Sequence, residues 1–412
     1  MVSSVFTDAE LASLQLSSEE IAGKTFDILI VGAGPAGTAA AIGLRNQGFS
    51  VALLDRARFP REKICGDCLL PETVHYLNQL GLADQIIAYA HPVDGLRIYS
   101  CRGIDFEIPA NILTLRRSTF DTLLARAAVK AGAVFCHDSV VSIEARPQSS
   151  LRIRLGQSQR PVNARVVLVA TGAHSALAMR LGLTADSTPS AMAMRCYIRS
   201  SAALSTGILS YDRSVKPGFA WIFPLGDNLF NVGCGTVTGA NKFDGHALRN
   251  TFERFLAGFP PAAKVLRHGQ IETPLRGFPI QCSLDRQSLV MNGQVLAIGE
   301  AAGTTYPFTG EGIAPAIRSA LLASEIVSAA LKSENMILLK EYPNRLRHEM
   351  DPLYRGYQQA ERWLSIGWVN DLLAARIKKS ERLRHLCAGI VAGNVNPSEV
   401  YSLRGLLTSL WS

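Results

Sequence analysis

Two short motifs near the N-terminus carry residue types whose spacing could do chemistry. Residues 32–37 read Gly-Ala-Gly-Pro-Ala-Gly, which is the spacing G-x-G-x-x-G. In such a motif the first glycine permits a tight turn, the second lets the backbone approach a pyrophosphate, and the third lets a helix pack closely on a sheet. Asp55 stands about 20 residues further on, where a carboxylate can accept hydrogen bonds from a ribose. These residues predict a dinucleotide site.

The second motif, Cys65-Gly66-Asp67-Cys68, has the spacing C-x-x-C. This spacing is found in redox disulfides and in half-sites for zinc. The sequence has no second C-x-x-C and no H-x-x-x-H pattern, which disfavours a zinc site, and we predict no metal. The residues alone leave three alternatives open: a redox pair, a single thiol beside a cofactor, and inert thiols.

The hydrophobic pattern predicts the elements that position these motifs. Phe26–Val31 and Ser50–Leu54 are short apolar runs typical of buried strands, and the alanine-rich segment Pro35–Gln47 between them is typical of a helix that Gly48 ends. A strand, a glycine turn, a helix and a second strand in this order form a βαβ unit. The dinucleotide motif therefore lies in the turn between the first strand and the helix.

Two later segments repeat the pattern of a strand followed by a glycine turn. Val166–Ala170 leads to Gly172, and Val295–Ile298 leads to the Gly-Glu pair at residues 299–300. Residues 310–313, Gly-Glu-Gly-Ile, then open a helix whose N–H groups suit an anion, such as a reduced flavin ring near N1 and O2. Flavoproteins of this type return to the ligand late in the chain, and no second G-x-G-x-x-G is present. We therefore predict FAD and no separate NAD(P)H domain.

An aromatic run offers a candidate substrate surface. Phe219, Trp221 and Phe223 recur at every second position, and Pro224 follows them. Side chains at this period lie on one face of a strand, and residues 190–240 alternate as in an antiparallel sheet. Such a face suits a long apolar substrate, and the alternative is an ordinary aromatic core face.

Composition limits the classes of protein. The 412-residue chain is 48% hydrophobic and 18% charged, which supplies a core for two or three structural units and excludes a disordered chain. The first 26 residues hold more acidic than basic residues, unlike a secretory leader, so we expect a cytoplasmic protein. The net charge of +8 is not arranged as a basic stripe interleaved with aromatics, so we expect no nucleic-acid partner.

Residues 361–377 predict a helix with a broad apolar face, followed by a basic segment. The apolar positions are Leu364, Trp368, Val369, Leu372 and Leu373, and the basic ones are Arg376, Lys378, Lys379, Arg382 and Arg384. A core helix and an apolar lip lying on an anionic membrane both fit this pattern. Peripheral membrane contact is therefore one hypothesis, and the sequence leaves the oligomeric state open.

Together these segments resemble the geranylgeranyl reductase family, within the larger group of FAD-dependent hydroxylase-like and halogenase-like flavoproteins. Residues 59–67 resemble the family segment that ends in Cys-Gly beside the flavin. Residues 217–224 resemble its aromatic substrate-cavity motif, and residues 299–313 its flavin-closing motif. The resemblance implies an α/β fold with a Rossmann-like FAD-binding domain, an inserted antiparallel-sheet substrate domain and a C-terminal helical region.

The resemblance also implies roles for single residues. Glu300 stands where the family usually has Asp, and Phe219 where it usually has Tyr. The predicted catalytic residues are Cys65, Gly66 and Trp221, and the predicted substrate-binding residues are Phe219, Trp221 and Phe223. The predicted cofactor-binding residues are Gly32, Gly34, Pro35, Ala36, Gly37, Asp55, Arg56, Arg117, Gly172, Gly299, Glu300, Gly310, Gly312 and Ile313.

The segments also predict a division of the chain into four parts. The N-terminal extension is 1–25, the FAD-binding domain is 26–85 with 115–175 and 286–331, the substrate-binding sheet domain is 86–114 with 176–285, and the C-terminal helical region is 332–412.

Three functions follow as hypotheses. The leading one is an FAD-dependent oxidoreductase that reduces carbon–carbon double bonds of an isoprenoid or similar apolar substrate, with reduced flavin as hydride donor. NAD(P)H, a ferredoxin or a flavin reductase would supply the electrons. The alternative enzyme is a flavin-dependent monooxygenase that acts on a hydrophobic or aromatic substrate, and the sequence favours a hydroxylase over a halogenase. The alternative from another class is a non-catalytic protein that escorts prenyl lipids.

Overall fold

The computed structural model describes residues 6–7, 10–11, 13–146, 150–173, 176–184, 189–216, 218–237, 245–284 and 288–402. In chain order the strands are β1 (Leu16–Ser17), β2 (Thr25–Val31), β3 (Val51–Asp55), β4 (Cys68–Leu69), β5 (His91–Val93), β6 (Leu96–Tyr99), β7 (Asp105–Ile108), β8 (Ile112–Thr114), β9 (Val134–His137), β10 (Val140–Arg146), β11 (Ser150–Leu155), β12 (Val162–Val169), β13 (Ala191–Ser200), β14 (Gly207–Ser210), β15 (Gly218–Pro224), β16 (Leu229–Val237), β17 (Gly269–Ile271), β18 (Arg276–Ile280), β19 (Val290–Met291) and β20 (Val295–Ala297). The helices are α1 (Pro35–Asn46), α2 (Pro71–Gln79), α3 (Ala83–Ile87), α4 (Arg117–Lys130), α5 (Ala176–Arg180), α6 (Gly245–Gly258), α7 (Pro260–Arg267), α8 (Ile313–Lys332), α9 (Tyr342–Leu364), α10 (Gly367–Lys379) and α11 (Glu381–Val391).

The first sheet contains the strands predicted around the dinucleotide motif. Its order is β1-β9-β3-β2-β12-β11-β10, and β20 pairs with β12. β9, β3, β2, β12 and β20 run parallel, with Val31 opposite Leu54 and Val169, and Val169 opposite Ala297. The turns after β2, β3, β12 and β20 therefore meet at one edge of the sheet, where parallel α/β sheets bind ligands.

Helix α1 packs on β2 and β3 and against α8. It begins at Pro35, whose missing N–H suits the first turn of a helix, and four of its nine buried residues are alanine. This small side chain permits close approach, since a Cβ on Gly43 would lie 3.4 Å from Ser324 of α8. Helix α8 has the length and hydropathy of a membrane span, but 78% of its most apolar window is buried, as in the core helix of a soluble fold.

The second sheet carries the aromatic strand. Its order is β17-β13-β16-β15-β14-β6-β7, with β18 also paired to β13, and β4, β8 and β5 form a small third sheet. Ala220 and Ile222 of β15 lie in a core with α6 and α7. Phe219, Trp221 and Phe223 belong to a separate apolar cluster. The two sets alternate along β15, so the predicted period of two is confirmed.

The helix predicted over residues 361–377 is divided between α9 and α10, which are separated at Ser365-Ile366. Its apolar positions divide as well, because neighbouring elements cover only part of the broad apolar face and leave the rest exposed. The buried positions are Leu364, Val369 and Leu373, and the exposed ones are Trp368 (67%) and Leu372 (39%).

The first 25 residues contribute to the first sheet. Strand β1 pairs in parallel with Cys136 and His137 of β9. The side chain of Gln15 donates to the Ala57 carbonyl at 3.0 Å and accepts from the Phe59 N–H at 2.7 Å. This segment is therefore tied to the loop that leads to the Cys motif.

Candidate active site

One cavity of about 1320 Å³ lies where the ligand edge of the first sheet faces the aromatic strand of the second. Every predicted site residue lines it except Gly37 and Gly299. A Cβ on Gly37 would overlap the Gly32 carbonyl oxygen, and one on Gly299 would lie 2.7 Å from the Ala36 Cβ. Gly37 therefore has the packing role predicted for the third glycine of the motif, and Gly299 likewise permits close packing behind its turn, whereas neither residue forms the cavity wall.

The glycine turn after β2 has the features that a pyrophosphate requires. Gly32 has a φ of 107°, and a Cβ there would overlap the Ala170 carbonyl oxygen, so glycine is needed. The atom nearest to a Cβ on Gly34 would be Arg61 Nη2 at 3.6 Å, which leaves this backbone open to the cavity. Helix α1 begins without a side-chain cap, so its first N–H groups are available to an anion.

Two arginines and two aspartates form a chain of ion pairs beside this turn. Arg61 lies 3.5 Å from Asp55 and 3.0 Å from Asp121. Arg117 binds Asp121 through two hydrogen bonds of 2.8 and 2.9 Å, and Asp55 accepts a further bond from the Ala33 N–H at 2.9 Å. These pairs hold both guanidinium groups at the cavity wall, where they can face a phosphate.

The turns after β12 and β20 meet at the carboxylate of Glu300. It accepts hydrogen bonds from the N–H groups of Ala173 at 3.1 Å and Gln281 at 3.2 Å. Its Oε2 lies 4.0 Å from Lys63 Nζ, which lies 3.2 Å from the centre of the Phe278 ring. Burial lowers the pKa of Lys63 to about 8, although Glu300 opposes this shift. An ammonium group that loses its proton just above neutral pH therefore lies at the cavity wall.

The turn before α8 differs from the prediction. The N–H groups of Ile313 and Ala314 both donate to Glu311 Oε1 at 3.0 Å. Glu311 thus caps the helix whose N–H groups the sequence predicts to face the flavin. Burial raises the pKa of this carboxyl to about 7. Gly310 and Gly312 line the cavity on either side of it, so a titratable carboxyl and a flavin would compete for the same N–H groups.

The Cys65-Gly66 loop lies against the aromatic strand. A Cβ on Gly66 would lie 3.3 Å from the Phe223 ring and 3.6 Å from Trp221 Nε1, so the missing side chain lets the loop approach these rings. Burial raises the pKa of the Cys65 thiol, and the nearby Arg117 charge opposes this shift. The group is therefore a neutral thiol at physiological pH, and all eight cysteines of the chain are free.

A second cavity, of about 90 Å³, adjoins the first between the second sheet and the C-terminal helices. Its wall is mostly apolar and includes Ala360 of α9 and Ala374 of α10. Tyr211 and Phe308 line both cavities, and their rings stack with centroids 5.5 Å apart. This stacked pair therefore lies at the boundary between the two spaces.

Comparisons with known proteins bear on this site. A family profile described as "FAD binding domain" matches residues 25–206. The chain is 31% identical to menaquinone reductase of Mycolicibacterium smegmatis, over 74% of this chain and 76% of the relative. It is 26% identical to digeranylgeranylglycerophospholipid reductase 2 of Methanopyrus kandleri, over 82% of this chain and 87% of the relative. The chain belongs to the geranylgeranyl reductase family of FAD-dependent oxidoreductases.

Solved structures agree with the fold of this flavoprotein. A geranylgeranyl bacteriochlorophyll reductase-like protein of Thermoplasma acidophilum has a TM-score of 0.72 at 23% identity, covering 94% of this chain and 96% of the other. A flavin-dependent brominase has a TM-score of 0.74 at 17% identity, covering 94% and 98%. These likenesses concern the fold alone, which reductases and halogenases share. The predicted family, α/β fold, FAD cofactor and enzyme class are confirmed.

The residues of this flavoprotein fit FAD. The open Gly34 backbone, the uncapped start of α1 and the Arg61 guanidinium lie together, as a pyrophosphate requires. Asp55 and Arg56 at the end of β3 and Gly172 after β12 also line the cavity, and these two strands flank β2 on either side. In the part of the chain that the structure describes, no three His, Cys, Asp or Glu side chains form a group that could hold a metal ion.

Sequence reasoning did not single out four of the polar residues in and behind this wall. Arg61 and Lys63 precede the Cys motif in a charged run that also fits a solvated loop. Asp121 lies in the first turns of α4, and Asn231 lies in β16. Asp121 pairs with Arg117 at the helical spacing i,i+4, but no spacing rule connects it to Arg61, and Arg61, Lys63 and Asn231 acquire their partners only through the tertiary fold.

Proposed function

We propose that this flavoprotein reduces carbon–carbon double bonds in the isoprenoid chain of a lipid or quinone. The observation that carries the proposal is the contact between the Cys65-Gly66 loop and the rings of Trp221 and Phe223, in the cavity that also contains the glycine turn. Aromatic and aliphatic walls suit an apolar chain. The names of the two relatives, a menaquinone reductase and a digeranylgeranylglycerophospholipid reductase, support the same class of substrate.

The second cavity supports an elongated substrate. It extends the apolar space beyond the Tyr211–Phe308 pair towards α9 and α10, away from the glycine turn. A rigid, compact substrate would not need this space, whereas the tail of a prenyl chain can enter it. We therefore assign the distal end of the chain to this second cavity.

The FAD would be held at the ligand edge of the first sheet. The proposed contacts are the glycine turn, Asp55 and Arg56 for the adenosine and phosphate part, with Arg61 and Arg117 as phosphate partners. Glu300, Lys63 and the turn of residues 310–313 would surround the flavin part. The lining of the cavity and the order β3-β2-β12-β20 of the strands that lead to these groups support this assignment.

When bound and reduced, FAD supplies the hydride in this chemistry. The rings of Trp221 and Phe223 exclude water and orient the chain through aromatic contact. Cys65 Sγ and Lys63 Nζ are two groups of the wall that hold a transferable proton. Adding a hydride to one carbon and a proton to the other saturates the double bond, and NAD(P)H, a ferredoxin or a flavin reductase then restores the reduced cofactor.

An oxygen-using reaction is the second candidate. The flavin-dependent brominase has the same fold over nearly its whole length, so this fold can also host a reaction that uses oxygen. Flavin halogenases normally have the motif W-x-W-x-I-P on this strand. Phe219 stands here at the position of the first tryptophan and Phe223 at that of the isoleucine, so hydroxylation is the form of this alternative that the chain supports.

The exposed side of the C-terminal helices supports a peripheral membrane position. Trp368 is 67% exposed, Ile366 41% and Leu372 39%, and the exposed cations Lys379 and Arg382 follow. Apolar side chains next to cations are typical of helices that lie on anionic lipid. We propose that this face rests on the inner, cytoplasmic surface of a membrane, where a lipid substrate can reach the cavity.

Vesicle sedimentation tests this part of the proposal. Wild-type protein should sediment with phosphatidylglycerol vesicles and not with phosphatidylcholine vesicles. Trp368→Ala should lose the association, whereas Ile337→Ala, which removes a 70% exposed side chain elsewhere, should keep it. Equal binding of both variants would contradict the assigned face.

Anaerobic turnover tests the reaction itself. FAD-loaded protein reduced with dithionite should convert prenyl alcohols and menaquinone to products that are heavier by one H2 for each double bond reduced. Trp221→Ala should retain FAD, seen by its absorption, and lose turnover because the chain is no longer oriented. Products that contain one added oxygen atom and form only in air would support the monooxygenase instead.

A further inference from the structure

A buried carboxylate lies directly behind the Cys65-Gly66 loop. Asp67 is fully buried, and its φ of 60° is in the left-handed region that non-glycine residues rarely adopt. Its Oδ2 accepts from the Tyr197 hydroxyl at 2.6 Å and from Asn231 Nδ2 at 2.8 Å, and its Oδ1 accepts from the Arg117 N–H at 3.0 Å. Three donors from three other elements therefore hold one strained residue in place.

Asn231 connects this carboxylate to the aromatic face. Its Nδ2 donates to Asp67 and to the Cys65 carbonyl, both at 2.8 Å, and its Oδ1 accepts from Trp221 Nε1 at 2.9 Å. Both amide donors and the amide oxygen are thus used. The orientation of the amide is also forced, because an indole N–H can only donate and must face an oxygen.

A second observation shows that the Trp221 indole is confined to one position. Gly233 is opposite Trp221 in the β15–β16 pairing, and a Cβ there would overlap Cζ2 of the indole. The ring therefore lies across β16, with its N–H directed at Asn231, two residues away on the same strand. On the other side, Gly66 approaches Trp221 Nε1 as described above.

We propose that Asn231 is a positioning residue that fixes Trp221 and the Cys65-Gly66 loop relative to each other. The amide does not itself line the cavity. It bonds one group from each of two walls, so the wall that orients the apolar chain and the loop beside the reacting face form one rigid unit. The kinetic part of this inference rests on the proposed function, and the coupling of the two walls does not.

Thiol labelling tests the coupling without turnover. In the FAD-loaded protein, Asn231→Ala releases the Cys65 carbonyl, so alkylation of Cys65 by N-ethylmaleimide should become on the order of tenfold faster, since a buried hydrogen bond has been lost. Cys282 is the internal control, because it lines the same cavity and is also partly exposed. Its labelling rate, measured in the same digest by peptide mass spectrometry, should not change.

A double-mutant cycle tests whether the amide acts through the indole. Asn231→Ala should raise KM for a prenyl substrate on the order of tenfold in the wild-type background and much less in a Trp221→Phe background, because the shared hydrogen bond is already absent. Additive effects would overturn the proposal, as would a Cys65 labelling rate that matches the wild type.

Two tyrosine variants keep the test usable if Asn231→Ala does not fold. Tyr197→Phe removes one of the three donors to Asp67, and Tyr342→Phe removes one equally buried hydroxyl, which bonds the Ala297 carbonyl at 3.0 Å outside the cavity. Only Tyr197→Phe should speed the labelling of Cys65, and equal rates in the two variants would overturn the proposal. If labelling responds but no variant and no wild-type sample reduces a prenyl compound, the proposed function fails and the coupling stands.

Discussion

The charge of Lys63 offers a direct test of the FAD assignment. Its ammonium lies at the cavity wall, 4.0 Å from Glu300 Oε2 and 3.2 Å from the centre of the Phe278 ring. Burial lowers its pKa to about 8, with Glu300 opposing and the Arg117 charge adding to the shift. Because the pKa is lowered, the positive charge is present below pH 8 and is lost as the pH rises through that value.

The size of the effect follows from this titration. A group with a pKa of about 8 is about 90% cationic at pH 7 and about 10% cationic at pH 9. If only the cationic form supports binding of the anionic cofactor, the apparent Kd for FAD rises roughly tenfold over this range. Lys63→Arg keeps its charge throughout, so its Kd should stay level, and Lys63→Met should bind weakly at both values.

The assay is a titration of FAD-free protein with FAD, followed by flavin fluorescence at constant ionic strength, since salt screens exposed charges. The Glu311 carboxyl also titrates near this pH range. Because Glu311 is present in all three proteins, its effect on the Kd for FAD cancels when the proteins are compared. If wild type and Lys63→Arg lose affinity to the same extent between about pH 7 and pH 9, Lys63 does not contact the cofactor site and the reasoning is refuted.

Three further predictions concern other parts of the site. Gly37→Ala should abolish FAD binding in an equilibrium titration, because the new Cβ overlaps the Gly32 carbonyl oxygen, whereas Gly258→Ala, whose Cβ would meet no atom within 4 Å, should bind normally. Ala374→Phe should fill the second cavity and raise KM for geranylgeraniol more than for geraniol, since each CH2 excluded from the cavity loses up to about 0.8 kcal/mol of binding free energy. Equal changes in KM for both alcohols would show that the prenyl tail does not enter that cavity. Glu311→Gln should make the flavin reduction potential fall less steeply as the pH rises through about 7. Because its pKa is raised, the wild-type carboxyl is neutral below this pH and negatively charged beside the reduced flavin above it. Identical potentials in variant and wild type would show that this carboxyl does not sense the flavin.

Local sequence pattern determines much of this protein. The spacing of Gly32, Gly34 and Gly37 predicts both the turn and its dinucleotide, because those constraints act within one strand, one turn and one helix. The alternation of Phe219, Trp221 and Phe223 predicts a single aromatic face, because successive side chains of a strand point to opposite sides. These features require only neighbours in the chain, so they can be read without a structure.

Other features depend on partners that are distant in sequence. Lys63 contacts Glu300 and Asn231 contacts Cys65, and in each case the loop of residues 56–67 packs against a distant segment, so residues that no spacing rule connects come together. The cap that Glu311 places on α8 is local, yet the burial that raises its pKa comes from the surrounding fold.

The C-terminal helices show the same division. Sequence periodicity predicts an apolar face over residues 361–377, and only the packing of α9 against α10 decides that Val369 is buried while Trp368 is exposed. Periodicity marks which side chains are apolar, but burial depends on which neighbouring element covers them. The sequence alone therefore determined the cofactor motif and the aromatic strand, and the tertiary structure decided which charges and amides hold the two together.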